Sequence, residues 1–190
     1  MLGGFLLGAV LGILSGIALA LMPRLSETLD PFIVVLNGLP RAALAPLFVF
    51  WLGIGLSSKI AIAASIVFFI CLFATYTGMK NTDRMLLRAV EALGATQHQL
   101  LVKVRLPSTV PWILTALKAS VGMALIGAVI GELVAASRGL GWYIAYSAGN
   151  FDTTGMFAGL VALGVMAIVV DSSVAGVGKR FTRWRSDTPN

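Results

Sequence analysis

Few residues of this 190-residue chain have side chains that could do chemistry. The chain has one histidine, His98, one cysteine, Cys71, and eight acidic residues. A protein-built zinc site needs several such ligands at short spacing. An active site in a membrane needs acids, bases or nucleophiles grouped at one depth. Neither pattern occurs, and no G-x-x-x-x-G-K-[ST] phosphate-binding loop is present. The sequence therefore predicts no enzyme and no metal or other cofactor bound by this chain.

One carboxylate stands apart from the others because it lies inside an apolar stretch. Glu132 is the only charged residue between positions 119 and 137. Ionisable residues within a membrane are costly and are functional candidates by default. Glu132 is therefore a possible gating or pathway residue. A residue near the interface that snorkels or bonds a neighbouring helix is the alternative, and the residues alone leave both readings open.

The composition is that of a membrane protein, since 58% of the residues are hydrophobic and 12% are charged. A soluble domain has about 25% charged residues. A membrane-spanning helix needs about 20 consecutive apolar residues. The charge-poor intervals predict an all-α polytopic membrane bundle of about five helices in one domain, 1–178, followed by a basic tail, 179–190. The predicted spans are 2–22, 42–58, 60–79, 112–136 and 154–177, with a long loop at 80–111.

Small residues recur every four positions along the first span, at Gly4, Gly8, Gly12 and Gly16. This spacing places them on one face of a helix, where another backbone can approach closely. The sequence predicts a helix-packing face. Packing within one subunit is the preferred interpretation, and a contact between two copies is the alternative.

The basic residues predict the orientation. Of the 14 Lys and Arg residues, twelve, including Arg24 and Arg41, fall on one side of the predicted bundle, and only Lys59 and Arg138 fall on the other. Cytoplasmic segments carry the excess of Lys and Arg, so the loop 80–111 and the C-terminus are predicted to be cytoplasmic. The net charge of +6 is thus assigned to membrane orientation and not to nucleic-acid binding. An N-terminus outside the cell would be unusual, which raises the expectation of a preceding helix.

The loop 80–111 has the periodicity of short helices. Leu86, Ala89, Val90 and Leu93 follow the i, i+3, i+4, i+7 pattern. Gly94 is expected to end this helix, and two prolines, Pro107 and Pro111, are expected to end a second one before the next span. Such an amphipathic pair can rest on lipid headgroups or dock in the groove of a partner protein.

The spacing within this loop resembles the Glu-Ala-Ala loop of ABC importer permeases. That pattern has a glycine, then nine residues, an Ile, one residue, and Leu-Pro. Here Gly94 is followed at these distances by Val104 and by Leu106-Pro107. One position departs from the pattern, because Arg88 stands at the position of the Glu. The resemblance implies that the loop couples to an ATPase through Arg88, Ala89, Val90, Glu91, Gly94, Ala95, Leu101, Val104, Leu106 and Pro107.

Further strings, among them 37–40, 45–48, 51–55 and 139–142, are similar to the nitrate, sulfonate and taurine branch of these permeases. The resemblance implies the type I, MetI-like permease fold in a bacterial inner membrane, without the first of the usual six spans. It also implies two ABC ATPase subunits that bind ATP-Mg, a second permease copy and an extracytoplasmic solute-binding protein. The solute would be a sulfonate-, nitrate- or taurine-like anion or a related small molecule. An ATPase-independent secondary transporter or channel is the alternative.

Overall fold

The computed structural model describes residues 1–182, apart from the side chains at positions 23, 30, 37, 135, 171 and 174–182. This part of the chain is helical and contains no strand, so the predicted all-α class is confirmed. Residues 183–190 of the predicted tail 179–190 lie outside it. The helices are α1 (Leu2–Leu21), α2 (Pro23–Gly38), α3 (Ala45–Leu52), α4 (Leu56–Lys80), α5 (Arg84–Ala92), α6 (Gln97–Leu100), α7 (Leu106–Ala135), α8 (Leu140–Gly149) and α9 (Thr153–Thr182).

The centre of the bundle is α4, which packs against both α1 and α7. The glycine face of α1 lies directly on α4. A Cβ atom on Gly4 would be 2.7 Å from the Cβ of Ala63, and one on Gly16 would be 2.8 Å from the Cβ of Thr75. Gly8 and Gly12 fit between these levels, close to backbone carbonyls of α4. The four glycines therefore pack within one subunit, and the contacts advance in the same direction on both helices, so α1 and α4 are parallel.

The segment between α1 and α4 differs from the predicted span 42–58. It contains α2, then a 3₁₀ turn at Arg41–Leu44, and then the eight-residue α3. Helix α3 ends before Gly53, which has a φ of +76°. Glycine adopts this left-handed conformation readily, whereas other residues adopt it only with strain. The piece Arg41–Leu52 is short, whereas four other helices are long and apolar enough to cross a membrane within the described residues. Residues 22–55 connect the C-terminal end of α1 to the N-terminal end of α4. Because these two helices are parallel, the two ends lie on opposite sides of the bundle. The connection therefore crosses the bundle again, as the two short helices α2 and α3.

The predicted break at Pro107 and Pro111 is absent. After α6 the chain forms a π turn, Leu101–Arg105, and passes straight into α7, so that helical structure is continuous from Gln97 to Val134. Pro107 lies directly after this π turn, in the first turn of α7. The wider π turn before it relieves the clash of a proline ring with the preceding turn. Pro111 is inside α7, as is tolerated in membrane helices.

Candidate functional site

One short helix, α5, lies on the outside of the bundle. None of its nine residues is buried, and its N-terminus is capped by Asp83, whose Oδ1 accepts a hydrogen bond of 2.8 Å from the backbone N–H of Met85. The side chain of Met85 is 80% exposed, and that of Leu93, just after the helix, is 86% exposed. Large apolar side chains held outward on a capped helix form a surface suited to a partner's groove.

A tight turn at Gly94 joins α5 to the next helix. Gly94 has a φ of +84°, its N–H donates to the carbonyl of Glu91 at 2.9 Å, and the N–H of Ala95 donates to that of Val90 at 3.3 Å. These two bonds form a Schellman motif with glycine in the left-handed position. The next helix, α6, begins with a capping box, in which the N-cap residue Thr96 and the glutamine at the third position of the helix bond to each other's backbone N–H groups. The sequence indicated the turn at Gly94, and the hydrogen bonds show how it is closed.

The second half of the loop is anchored in the bundle. Leu100 and Val104 are buried, and the hydroxyl groups of Thr82 and Ser108 lie 3.1 Å apart, so that the start of the loop is tied to the start of α7. The predicted coupling residues therefore separate into two groups. Those of α5 and its turn are accessible, whereas Val104 and its neighbours hold the loop to the membrane helices.

Arg88 and Glu91 do not lie on the outermost face of α5. Together with Arg84 and Leu87, at helical spacing, they line a groove between α5 and the bundle. The Oε1 atom of Glu91 accepts a hydrogen bond of 3.4 Å from the amide of Gln97. The two charged residues of the predicted motif thus face the groove, whereas Met85 and Leu93 are the apolar side chains exposed on the outside.

This arrangement, a membrane bundle with one exposed helix set on the extension of a long span, has its counterpart among transport proteins. Residues 8–183 match the family described as binding-protein-dependent transport system inner membrane component. The chain belongs to this family. It is a multi-pass inner-membrane protein and a transmembrane permease subunit of an ABC importer, as its sequence predicted.

Two curated relatives are similar to this permease over most of its length. The formylaminopyrimidine transport permease protein of Halalkalibacterium halodurans is 34% identical over 182 residues, which are 96% of this chain and 73% of the relative. The taurine transport system permease protein of Escherichia coli is 36% identical over 184 residues, 96% of this chain and 66% of the relative. Among solved structures, an inward-facing form of the MetNI methionine ABC transporter has the same fold, with a TM-score of 0.76, 23% identity, and coverage of 96% of this chain and 91% of that one.

At the other end of the permease, Glu132 joins three helices. It lies near the end of α7, and its Oε1 atom is 3.4 Å from the Nζ atom of Lys59 on α4. Its Oε2 atom accepts a hydrogen bond of 3.0 Å from the backbone N–H of Gly141, in the first turn of α8. The carboxylate is therefore matched by one cation and by the positive end of a helix dipole. These contacts favour the reading in which Glu132 bonds its neighbours.

Two glycines make room for this carboxylate. Gly139 has a φ of +124°, and a Cβ atom there would collide with the carboxylate of Glu132. A Cβ atom on Gly141 would be 2.8 Å from both the Cβ of Glu132 and the carbonyl oxygen of Val129. The glycines of the string 139–142 thus allow the N-terminus of α8 to close over Glu132. The partner Lys59 is 73 positions away, which no local pattern indicates.

Replacing Glu132 with alanine is expected to destabilise the permease by about 1–3 kcal/mol, because a charge-assisted hydrogen bond and an ion pair are lost together. Glu132→Gln should cost less, since its amide oxygen still accepts from Gly141. Thermal unfolding of the purified permease measures both changes. Glu27→Gln, at an exposed carboxylate, is the control and should be neutral. Equal melting temperatures for Glu132→Ala and the control would contradict this role.

Arg41 is a candidate pathway residue that the sequence placed elsewhere. Its Cζ atom lies 4.6 Å from the centroid of the Phe69 ring, and Phe69 is about midway along α4. The guanidinium group therefore lies about midway along a helix of membrane-spanning length. It was predicted from the sequence to lie among the cytoplasmic residues. It stands where α2 and α3 separate, at the start of the 3₁₀ turn Arg41–Leu44. An arginine at this depth is a functional candidate.

No group of three or more His, Cys, Asp or Glu side chains that could hold a metal ion occurs among the residues that the structure describes. His98 lies exposed on α6. Cys71 is buried between α4 and α7, with its Sγ atom 3.7 Å from the hydroxyl of Ser120.

Proposed function

We propose that this permease works as a pair with a second permease copy, driven by two ABC ATPase subunits, and imports a small anion or related solute from an extracytoplasmic binding protein. In this proposal α5 and its turn dock in a groove on the ATPase. The ATP-Mg is bound and hydrolysed by that partner. The permease supplies the path and the mechanical connection. The motif resemblance and the family assignment support this assembly.

The observation that carries the proposal is the unbroken helix behind α5. Helical structure runs over 38 residues from Gln97 to Val134, a length of about 57 Å at 1.5 Å per residue, compared with a hydrocarbon core of about 30 Å. One end of this rod is therefore outside the membrane, where the Gly94 turn attaches α5. A displacement of α5 is passed to the rod through the tight Gly94 turn, because no longer loop separates the two.

The distribution of charge supports a cytoplasmic position for α5. Four basic residues lie on α5 or beside it, namely Arg84, Arg88, Lys80 and Arg105. Two others, Lys59 and Arg138, lie at the opposite end of α4. These ends are about 30 Å apart along the helix. Under the rule that cytoplasmic segments are richer in Lys and Arg, the α5 end faces the cytoplasm. The basic residues of the tail 179–190 favour a cytoplasmic C-terminus in the same way.

Arg41 supports an anionic solute. A guanidinium group at half the membrane depth offers a positive charge and several N–H donors in a fork that fits a sulfonate or carboxylate. It also stands at a discontinuity of the helices, a place where transporters often bind their solutes. The taurine permease among the relatives fits a sulfonate, and the formylaminopyrimidine permease leaves room for a related small molecule.

Uptake into proteoliposomes tests both parts of this proposal. The permease, reconstituted with its ATPase and binding protein, is expected to accumulate taurine or an alkanesulfonate only when ATP is present. Arg41→Gln should reduce the rate about tenfold, the value of one charge-assisted hydrogen bond, whereas Arg41→Lys should retain more activity. Uptake without the ATPase would contradict the importer and favour the secondary transporter. Full uptake by Arg41→Gln would contradict the role of Arg41 alone.

A further inference from the structure

A groove of about 380 Å³ lies behind α5, between this helix and the ends of α1 and α4. Five of its nine lining residues are charged, and four of these are basic. The basic residues are Lys80, Arg84, Arg88 and Arg105, and the acidic one is Glu91. The groove thus has an excess of positive charge that its own carboxylate does not balance.

The arginines of the groove lack carboxylate partners. An ion pair between Lys59 and Glu132 lies at the other end of the bundle. Arg84, Arg88 and Arg105 form no ion pair with the described side chains. The Nε atom of Arg105 is buried and has no hydrogen-bond partner there. A buried donor without an acceptor is unfavourable, and like charges around one groove repel each other. A bound anion would lower the repulsion among these charges.

The groove lies at the boundary of the membrane. Lys80 is the last residue of α4, and Ala20 is the penultimate residue of α1, and both helices are long enough to span a bilayer. The Nζ atom of Lys80 lies over the ring of Tyr76, 4.4 Å from its centroid. Trp112 packs against Gly78 at nearly the same level. Aromatic side chains at this depth mark the headgroup region.

We propose that this groove binds the phosphate group of an anionic phospholipid. A phosphate diester offers oxygen acceptors that arginine binds in a bidentate manner. The apolar wall formed by Ala20, Met79 and Leu87 would contact the glycerol and the first part of the acyl chains, which inorganic phosphate lacks. Basic pockets between membrane helices at the cytoplasmic side are suited to such headgroups. The lipid then holds α5 at a defined height relative to the bilayer.

Native mass spectrometry of the purified permease in detergent tests this site. Phosphatidylglycerol is expected to bind about tenfold more tightly than zwitterionic phosphatidylethanolamine, because both lipids carry the phosphate diester but the basic residues repel the ammonium group of phosphatidylethanolamine. Arg88→Gln and Arg84→Gln should each abolish this preference. Both residues are exposed on a surface helix, so these variants should fold. Arg138→Gln, which removes the same charge at the opposite end, is the matched control and should keep the preference.

The outcomes separate the possible sources of the anion. Inorganic phosphate at the same concentration should not displace phosphatidylglycerol, and displacement would assign the site to a free anion and overturn the lipid proposal. Loss of the preference in Arg138→Gln as well would show a general charge effect and would also overturn it. If the permease binds phosphatidylglycerol no more tightly than phosphatidylethanolamine, the proposal is wrong. An acidic segment of the ATPase then remains as the counter-charge.

Discussion

Replacing Gly12 with valine is expected to lower the free energy of unfolding by about 3 kcal/mol or more, since overpacking against a rigid neighbour is among the costliest single changes. A Cβ atom at this position would collide with the carbonyl oxygen of Phe68 and lie 2.9 Å from the Cβ of Cys71. The first of these is a backbone atom of α4, which no rotamer change can move away. The helices α1 and α4 must therefore separate along their whole contact.

A matched variant distinguishes this clash from the general effect that a glycine-to-valine change has on helix propensity. Gly164 lies within α9, and no atom would come within 4 Å of a Cβ placed there. Gly164→Val should therefore cost only a few tenths of a kcal/mol or stabilise slightly. The melting temperatures of the two purified variants, measured in the same detergent, provide the comparison. If Gly12→Val and Gly164→Val have the same melting temperature, the close contact between α1 and α4 does not exist.

Replacing Gly94 with valine is expected to abolish ATP-dependent uptake while the permease still inserts and its melting temperature falls by only a few degrees. The reason is conformational, since no atom would lie within 4 Å of a Cβ at Gly94, but its φ of +84° costs a β-branched residue roughly 1–2 kcal/mol or more. The Schellman turn would open, and α5 would lose its fixed direction relative to the rod behind it. Uptake by proteoliposomes and stimulation of the ATPase by the permease are the measurements.

Gly94→Asn provides the control for this prediction. Asparagine adopts the left-handed conformation far more readily than valine, so this variant should retain much of the uptake although it also adds a side chain. Equal loss in both variants would indicate that the added side chain, and not the turn, obstructs the ATPase. Normal uptake by Gly94→Val would contradict the coupling role of α5.

The local patterns of the sequence predicted the elements that depend on nearest neighbours. Apolar runs predicted long helices, and the structure has them at Leu2–Leu21, Leu56–Lys80 and Thr153–Thr182. Helical periodicity and a single glycine predicted a short helix that ends before Gly94. These features were accessible because burial in lipid and backbone conformation act on residues a few positions apart.

Other features were not predicted because they depend on where distant segments meet. The spacing of prolines indicated a break before the fourth predicted span, whereas the π turn and the apolar surroundings allow Pro107 and Pro111 to remain in a helix. Residues 23–38 were not assigned to a helix. Arg41 was assigned to the cytoplasm because it lies in the loop after the first predicted span, but its depth follows from its contact with Phe69 on another helix.

By itself, the amino-acid sequence determined a helical membrane bundle with one exposed loop, and the motif spacing in that loop resembled that of ABC importer permeases, because hydropathy, turn residues and motif spacing are properties of the linear chain. Only the tertiary structure decided that Glu132 bonds Lys59 and α8, that α1 and α4 run parallel, and that four basic residues converge behind α5. Each of these depends on contacts between residues far apart in the sequence, and their geometry is decided by how closely the helix backbones can approach one another.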